Sequence, residues 1–391
     1  MISSTRIREA LLENGLDIIV ASSPQNVFYL SGLESLTQRL LGQKAFAIWQ
    51  TDLSNPIIVL PAVDASIIVD ANIPYNSVYT YGNFFLYEGT DISPSDRTVQ
   101  TIKNENNFES PISALLSAIN SLPLTSSTIA IETSGFSFTE FDEIRKSIAP
   151  KIEAADDLLS DLRQIKNKDE VKRLKQAVEI NQNAIENAIK TVELGMAEQD
   201  LARIYESELI SQGAYPLFTA IGFGSHGAYP HAVPGTRTLQ YGDLIRFDVG
   251  CTYSNYSSDI ARTFSFGEPE PILQRKYEVL NGSMDHGIDL LCDGVSTDVI
   301  FNGVIDYVNE HGSDLFPTFD RNHVGHGIGI DVYDHPTISP GTGTLKSGMV
   351  LCIEPPYYEL GTAGIQVEDE VHITPNGVKR FSHCQPDLFV I

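Results

Sequence analysis

The sequence predicts an α+β protein of two domains: an α/β domain over residues 1–155, and a domain of helices packed on antiparallel sheet over 156–391. Three observations carry this. The chain has 391 residues, too long for one simple core and short for three domains. Its first part alternates short apolar runs with helical stretches, the pattern of a layered α/β unit. Its second part separates long helical patterns by strands joined through Gly- and Pro-rich turns, which favours antiparallel pairing over β-α-β crossovers.

Taken in order, residues Met1 to Gly15 read as an amphipathic helix ending at Gly15, with no apolar signal-peptide core. Asp17–Ala21, Ala45–Trp49, Ile57–Leu60 and Thr128–Ile131 read as short buried strands. Helices are expected over Pro111–Asn120 and Thr139–Ile148, and the polar segment Thr90–Asn107 reads as a loop or exposed excursion. A boundary falls between Pro150 and Asp161. Beyond it Asn167 and Glu170 are spaced as a capping box, and Val171, Leu174, Val178, Ile185, Ile189 and Val192 recur at helical spacing up to Gly195. Further helices are expected over Ala197–Gln212, Pro271–Leu291 and Val295–His311. Strands are expected over Asp243–Val249, Ser258–Phe264, Met349–Glu354 and Gly364–Ile373. Residues 170–391 run twice through helix, helix, paired strands, a weak echo of pseudo-symmetric halves.

Hydrophobic residues make up 42% and charged residues 20%, which excludes a wholly disordered or fibrous chain. Lys and Arg number 26 against 51 Asp and Glu, a net charge of −25. Such a surface repels phosphate backbones and anionic lipid heads, so neither nucleic acid nor membrane is an expected partner. No apolar run approaches the roughly 18–20 residues that span a bilayer. Cys251, Cys292, Cys352 and Cys384 are far apart and form no C-x-x-C pair. They read as buried free thiols of a reducing compartment, hence a cytoplasmic chain.

The chemistry lies in acids placed among hydrophobics. Read by period two, Leu244, Arg246 and Asp248 share one face, and so do Asp259, Ala261 and Thr263 on the next strand. A turn near Thr252–Asn255 sets Asp248 and Asp259 almost opposite each other, with Cβ atoms about 5 Å apart. Two carboxylates so placed repel and resist burial, and a divalent cation removes both penalties. Glu354 and Glu368 also sit among apolar residues, and His326 is flanked by glycines in Gly325-His-Gly-Ile-Gly329. A lone strand aspartate is more often an edge residue, and a Gly-His-Gly more often a turn. The signal is all five in this order. Four carboxylates and an imidazole suit Mn, Fe(II) or Co rather than a Cys-lined structural zinc.

At these residues the sequence resembles the pita-bread metallopeptidase family of prolidase, aminopeptidase P, methionine aminopeptidase and creatinase. The resemblance spans almost the whole chain. Asn26–Gly32 resembles the creatinase/prolidase N-terminal domain, and Leu162–Val171 the entry helix of the catalytic domain. Tyr241–Gly250, Ser258–Phe264, Gly325–Gly329, Ile353–Pro355 and Val367–Asp369 match the five-ligand pattern in order. The resemblance implies two divalent metal ions, Mn or Co first, with Fe(II) or Zn as further options. Asp248 chelates one ion, Asp259 and Glu368 bridge both, and His326 and Glu354 hold the other. A shared water or hydroxide is then the nucleophile, with Glu354 as proton acceptor and His231 contacting substrate and stabilising the tetrahedral charge. An N-terminal domain that covers the pocket and a homodimer are implied in the same way.

Three departures from the family pattern stand out. Asn322 occupies the position of a usual histidine, with His323 offset by one. Tyr333 stands for another histidine, and Gln366 for an arginine two residues before the bridging glutamate. Tyrosine donates a hydrogen bond but shuttles protons poorly near neutrality. Tyr333 therefore joins Glu354 and His231 as a catalytic candidate, and His323 and Gln366 join His231 as substrate-binding candidates. The leading expectation is an Xaa-Pro dipeptidase or aminopeptidase acting on a small peptide. A non-peptidase hydrolase or lyase acting on a small C–N bond is the alternative, and an inactive binding module the third. Creatinase itself is disfavoured, because that metal-independent branch lacks these ligands.

Overall fold

A computed structural model describes residues 3–123, 128–148, 151–382 and 387–391. The chain divides into two compact units, Met1–Leu162 and Arg163–Ile391.

In the first unit, among the described residues, seven strands form one mixed sheet. They are β1 (Ile18–Ala21), β2 (Phe46–Gln50), β3 (Ile57–Pro61), β4 (Ser77–Tyr81), β5 (Asn107–Phe108), β6 (Thr128–Ile131) and β7 (Lys151–Ala154), in the spatial order β5-β4-β3-β2-β1-β6-β7. The apolar runs legible in the sequence are the central strands: every residue of β1, β2 and β3 is buried. Leu115 and Ile119 of the helix Pro111–Asn120 pack into the same core as Ile18, Val20, Phe46 and Ile129. One expectation fails here. The segment expected as a loop contains the helix Pro94–Glu105, capped by Ser93 and Asp96 reciprocally, with Pro94 in its first turn. Ile102 alone is buried along it, so the apolar stripe that normally announces a helix is missing.

The second unit is built from helix pairs on antiparallel sheet, as expected. The first sheet holds β8 (Tyr215–Phe223), β9 (Leu244–Tyr253) and β10 (Tyr256–Ser265). The second holds β11 (Gly325–Gly327), β12 (Asp334–Thr337), β13 (Val350–Ile353), β16 (Asp369–Thr374) and β17 (Gly377–Arg380). Between β13 and β16 the chain forms the small pair β14 (Tyr357–Glu359) and β15 (Ala363–Ile365), and β18 (Phe389–Val390) edges the first sheet beside β10. Helix Lys168–Ile189 lies on β9 and β10, and helix Glu198–Ser211 on β8. Helices Pro271–Asp289 and Thr297–His311 pack on each other, and the first of them meets β13. The Asn167 side chain accepts from the Asp169 and Glu170 amides while Glu170 returns to the Asn167 amide, the capping box legible in the sequence. Gly325-His-Gly327 forms a short strand. Strand β8 was not expected: Pro216 breaks its pattern, and a bulge follows at Pro216/Phe218. Of the cysteines, Cys251 and Cys352 are buried free thiols, Cys292 is exposed against expectation, and Cys384 lies outside the described residues. Among the described residues no helix is long and apolar enough to cross a membrane.

Glycines let backbones touch where the second unit needs them closest. A Cβ on Gly364 of β15 runs into the carbonyl oxygen of Gly227, in the turn Gly224–Ala228. Gly364→Ala is therefore expected to cost about 1–3 kcal/mol in urea unfolding. Gly235→Ala, whose Cβ meets only ordinary contacts, should stay within about 0.5 kcal/mol of the parent.

Candidate metal centre

The centre starts at a turn. Ser254 and Asn255 both take positive φ (49° and 65°), so a two-residue turn joins β9 to β10 and pairs Tyr253 with Tyr256. From there the register follows: Asp248 lies opposite Ala261, and Asp259 opposite Gly250. The two aspartates are thus diagonal rather than directly opposite, two residues from the expected pairing. An offset of two keeps both on one face, because strand side chains alternate with period two. Glu368 reaches them through an isolated bridge, its amide donating to the Ala261 carbonyl at 3.2 Å. Carboxylate oxygens of Asp248, Asp259 and Glu368 all fall within 4.8 Å of one another.

The second sheet brings the other two. On β11 His326 pairs with Cys352 of β13, and Glu354 follows that strand with its amide donating to the Val324 carbonyl. His326 Nε2 stands 3.7 Å from Asp259 Oδ2, 3.7 Å from Glu354 Oε1 and 3.9 Å from Glu368 Oε1. Its other nitrogen, Nδ1, lies 3.0 Å from the Gly327 carbonyl oxygen. A carbonyl only accepts, so Nδ1 carries the hydrogen and Nε2 presents a lone pair. Burial lowers the His326 pKa to about 4, which keeps the ring neutral. All five residues expected to ligate metal therefore converge.

The electrostatics are unfavourable without a cation. Burial first, and repulsion from Asp248, Glu354 and Glu370 second, raise Asp259 well above the usual carboxylate range. Burial, then Asp259 and its neighbours, raise Glu368 likewise. Glu354 is pushed to about 8 by burial and by Asp248. Asp259 Oδ1, Glu368 Oε1 and His326 Nε2 are buried without a hydrogen-bond partner. Three such atoms on side chains that converge suit a hard divalent cation, and the residues fit one. Cys352 Sγ also lies within 4.8 Å of His326 and Glu368 ligand atoms. Burial and four surrounding carboxylates push its thiol up, so it is a neutral filler.

A layer beneath holds the acids in place. The Asp259 amide donates to Glu370 at 2.9 Å, and Arg262 donates to the Glu368 carbonyl at 2.6 Å and to Asp369 at 2.7 Å. Asp369 also receives Arg380 and the Ser382 hydroxyl.

Above the acids opens a cavity of about 750 Å³ lined by Asp248, Asp259 and Glu354 at its floor. His231, His323, Tyr333 and Gln366 line it too, so every expected catalytic or substrate-binding residue reaches this one place. The Tyr333 ring stacks on His326 at 3.8 Å, and its hydroxyl is 3.4 Å from Glu354 Oε1. Burial and the neighbouring acids push the Tyr333 phenol far up, so it stays protonated. His323 Nδ1 stands 3.6 Å from Glu354 Oε1, whereas Asn322 is exposed and not part of the lining. The wall includes Phe218, Pro230 and Val233. Arg321 and Tyr358 also line the cavity, and neither was expected as a site residue. The Asp-Arg-Asn-His run before Gly325 and the paired tyrosines after Glu354 were the available signals.

This fold and site define a pita-bread metallopeptidase. The model for metallopeptidase family M24 matches residues 172–375, and that for the creatinase/prolidase N-terminal domain matches residues 4–165. An Xaa-Pro dipeptidase of Pyrococcus furiosus is 33% identical over 266 residues, covering 67% of this chain and 75% of that protein. An uncharacterised peptidase of Staphylococcus epidermidis is 28% identical over 95% of this chain and 96% of its own. The prolidase structure from Pyrococcus furiosus aligns with a TM-score of 0.75 at 26% identity, over 96% of this chain and 99% of that one. The prolidase from Pyrococcus horikoshii reaches 0.79 at 25%, over 99% of each. The chain belongs to metallopeptidase family M24, carries a creatinase-type N-terminal domain and is a hydrolase; the family implies divalent metal ions.

Like charges that lack a cation should show in stability. Chelation is expected to lower the thermal midpoint of purified protein. In the chelated state Glu368→Gln should melt a few degrees above the parent, since it removes a buried carboxyl that must otherwise take up a proton or repel its neighbours. Scanning calorimetry with and without Mn²⁺ checks both, and an unchanged midpoint on chelation contradicts the first.

Proposed function

We propose that the protein is a dinuclear-metal Xaa-Pro peptidase that cleaves the bond before proline in a dipeptide or short peptide. The observation that carries this reading is the cluster of unsatisfied ligand atoms on Asp259, Glu368 and His326, which adjoins an open cavity lined by Asp248, Asp259 and Glu354. In this reading Asp248 holds one ion, Asp259 and Glu368 face both, and His326 and Glu354 hold the other. Two divalent cations, Mn²⁺ or Co²⁺ by the hardness of the donors, supply Lewis acidity that acidifies a water and polarises a scissile carbonyl.

The chain's own groups divide the remaining work. Glu354 Oε1 is the proton acceptor: it faces both the cluster and the cavity, within reach of His323 and Tyr333. Tyr333 keeps its proton, so its part is to donate a hydrogen bond, not to shuttle. His231 approaches Asp248 closely enough to stabilise that carboxylate, and it lines the cavity where it can donate to charge developing on the carbonyl oxygen. Phe218, Pro230 and Val233 offer an apolar wall that suits a pyrrolidine ring. Arg321 lines the same cavity, and its Nε is buried without a hydrogen-bond partner. A guanidinium so placed suits a free substrate carboxylate, which favours dipeptides.

The alternative, a hydrolase or lyase acting on another small C–N bond, draws on Tyr333: a locked phenol where the family pattern has an imidazole changes proton traffic, not the metal cage. A cytoplasmic homodimer belongs to the same proposal.

Mn²⁺- or Co²⁺-reloaded protein is expected to hydrolyse Xaa-Pro dipeptides; no turnover of any Xaa-Pro peptide sinks the reading and favours the alternative. Glu354→Gln should lower kcat about 10²–10⁴-fold, against under about tenfold for Tyr333→Phe. Arg321→Met should raise KM about tenfold for a free dipeptide while changing it little for the amidated one. Steady-state kinetics on the matched pair decide whether the carboxylate is read there.

A further inference from the structure

Among the described residues Arg246 is the largest fully buried side chain, a guanidinium with no exposure to water. Burying such a group costs several kcal/mol unless its donors are met. Four meetings are visible. Nη1 donates to Asp248 Oδ2 at 3.2 Å and to Gln366 Oε1 at 2.6 Å. Nη2 donates to the carbonyls of Tyr229 and Pro230 at 2.7 and 2.8 Å. The Tyr358 ring covers the guanidinium at 5.2 Å, and its hydroxyl donates to the same Gln366 oxygen at 3.1 Å. Gln366 also lies close enough to Asp248 to favour its ionised form.

These acceptors belong to two functional parts. Asp248 is a ligand candidate in the cluster floor, and Tyr229 and Pro230 immediately precede His231. Glu198 grips the same loop elsewhere, accepting from the Phe223 and Gly235 amides and contacting His226. Near His231 itself the visible grip is Arg246. Its two terminal nitrogens divide the labour, one toward the metal floor and one toward the substrate loop. The family pattern expects its arginine at 366. Here the positive charge comes from strand β9, with Gln366 as spacer.

We propose that Arg246 is a positioning residue that couples the Asp248 ligand to the His231 loop, supplying from β9 the charge that position 366 lacks. This rests on the metal reading of the site. A lysine cannot replace it, because one ammonium cannot span four acceptors on three segments.

Calorimetric titration of Mn²⁺ into chelated protein tests this, with circular dichroism as the check on folding. Arg246→Met and Gln366→Met should each weaken the weaker Mn²⁺ site about 10–100-fold, the effect usual for groups that orient a ligand. The double variant Arg246→Gln/Gln366→Arg moves the charge to the neighbouring position and should recover affinity to within about tenfold. Its KM for Ala-Pro should stay raised, because the Tyr229 and Pro230 carbonyls have lost their donor. Parental Mn²⁺ affinity in folded Gln366→Met or Arg246→Met overturns the proposal. So does a double variant that recovers no affinity, or one that recovers KM as fully as affinity. If Arg246→Met does not fold, Gln366→Met and the double variant still decide. A parental chain that binds no Mn²⁺ sinks the metal reading itself, whereas normal parental binding with indifferent variants sinks only the coupling.

Discussion

The second unit is organised around a repulsion. Three carboxylates with oxygens within 4.8 Å, and a fourth beside them, share a buried space with a neutral imidazole. At about 4 Å each like-charged pair opposes ionisation by about 4 kcal/mol at an effective dielectric of 20. No arrangement of protein dipoles visible here cancels several such terms. A divalent cation reverses the sign of all of them at once. That explains why the supporting layer is so ordered: Arg262 and Glu370 hold the backbone under Glu368 and Asp259, so the acids cannot swing apart to relieve themselves. In the metal reading the cluster would weaken the metal-free fold and strengthen the loaded one.

The same constraint makes strand register matter. A slip of one residue between β9 and β10 would turn Asp248 or Asp259 away from the other, and the turn at Ser254 and Asn255 prevents it. The period-two pattern of residues was enough to place both acids on one face. It was not enough to give their offset, because the turn's position, one residue further along, depends on which residues accept positive φ. Asn255 accepts it readily and Ser254 less so. Elsewhere the local signals were fuller than the reading of them. Ser93-Pro94-Ser95-Asp96 contains an N-cap, a first-turn proline and an acidic third residue, and without an apolar stripe behind it the cap passed for a loop.

The five ligand-type residues were legible because each sits where an ionisable group is out of keeping with its neighbours. Arg246 was not legible as a partner of Gln366: the two are 120 residues apart, and nothing in either segment signals the other. Arg321 and Tyr358 share that difficulty. The runs that hold them offered a signal, but only the fold shows that Arg321 shares the cavity with Glu354 and that the β14–β15 pair brings Tyr358 to Gln366. The offset between Asn322 and His323 is similar. Counting positions marks a missing histidine, whereas the chain before Val324 simply delivers the adjacent residue to Glu354.

A surface of net charge −25 bears on how a peptide's carboxylate can be recognised at all. At physiological ionic strength its repulsion fades beyond about 8 Å, so it neither guides an anionic terminus in nor excludes it at a distance. Inside the cavity the balance is local and different. Asp248, Asp259 and Glu354 are the acids facing it, and Arg321, His231 and His323 the basic side chains among its lining. Burial lowers the His323 pKa, so with the acids neutralised by cations the guanidinium of Arg321 would be the charge left to meet an anionic group. In the proposed reading, a ligand with its negative end toward Arg321 and its scissile bond over the acid cluster would meet favourable potential along its length. The metals that activate the water would then also turn the cavity toward short substrates that end in a carboxylate.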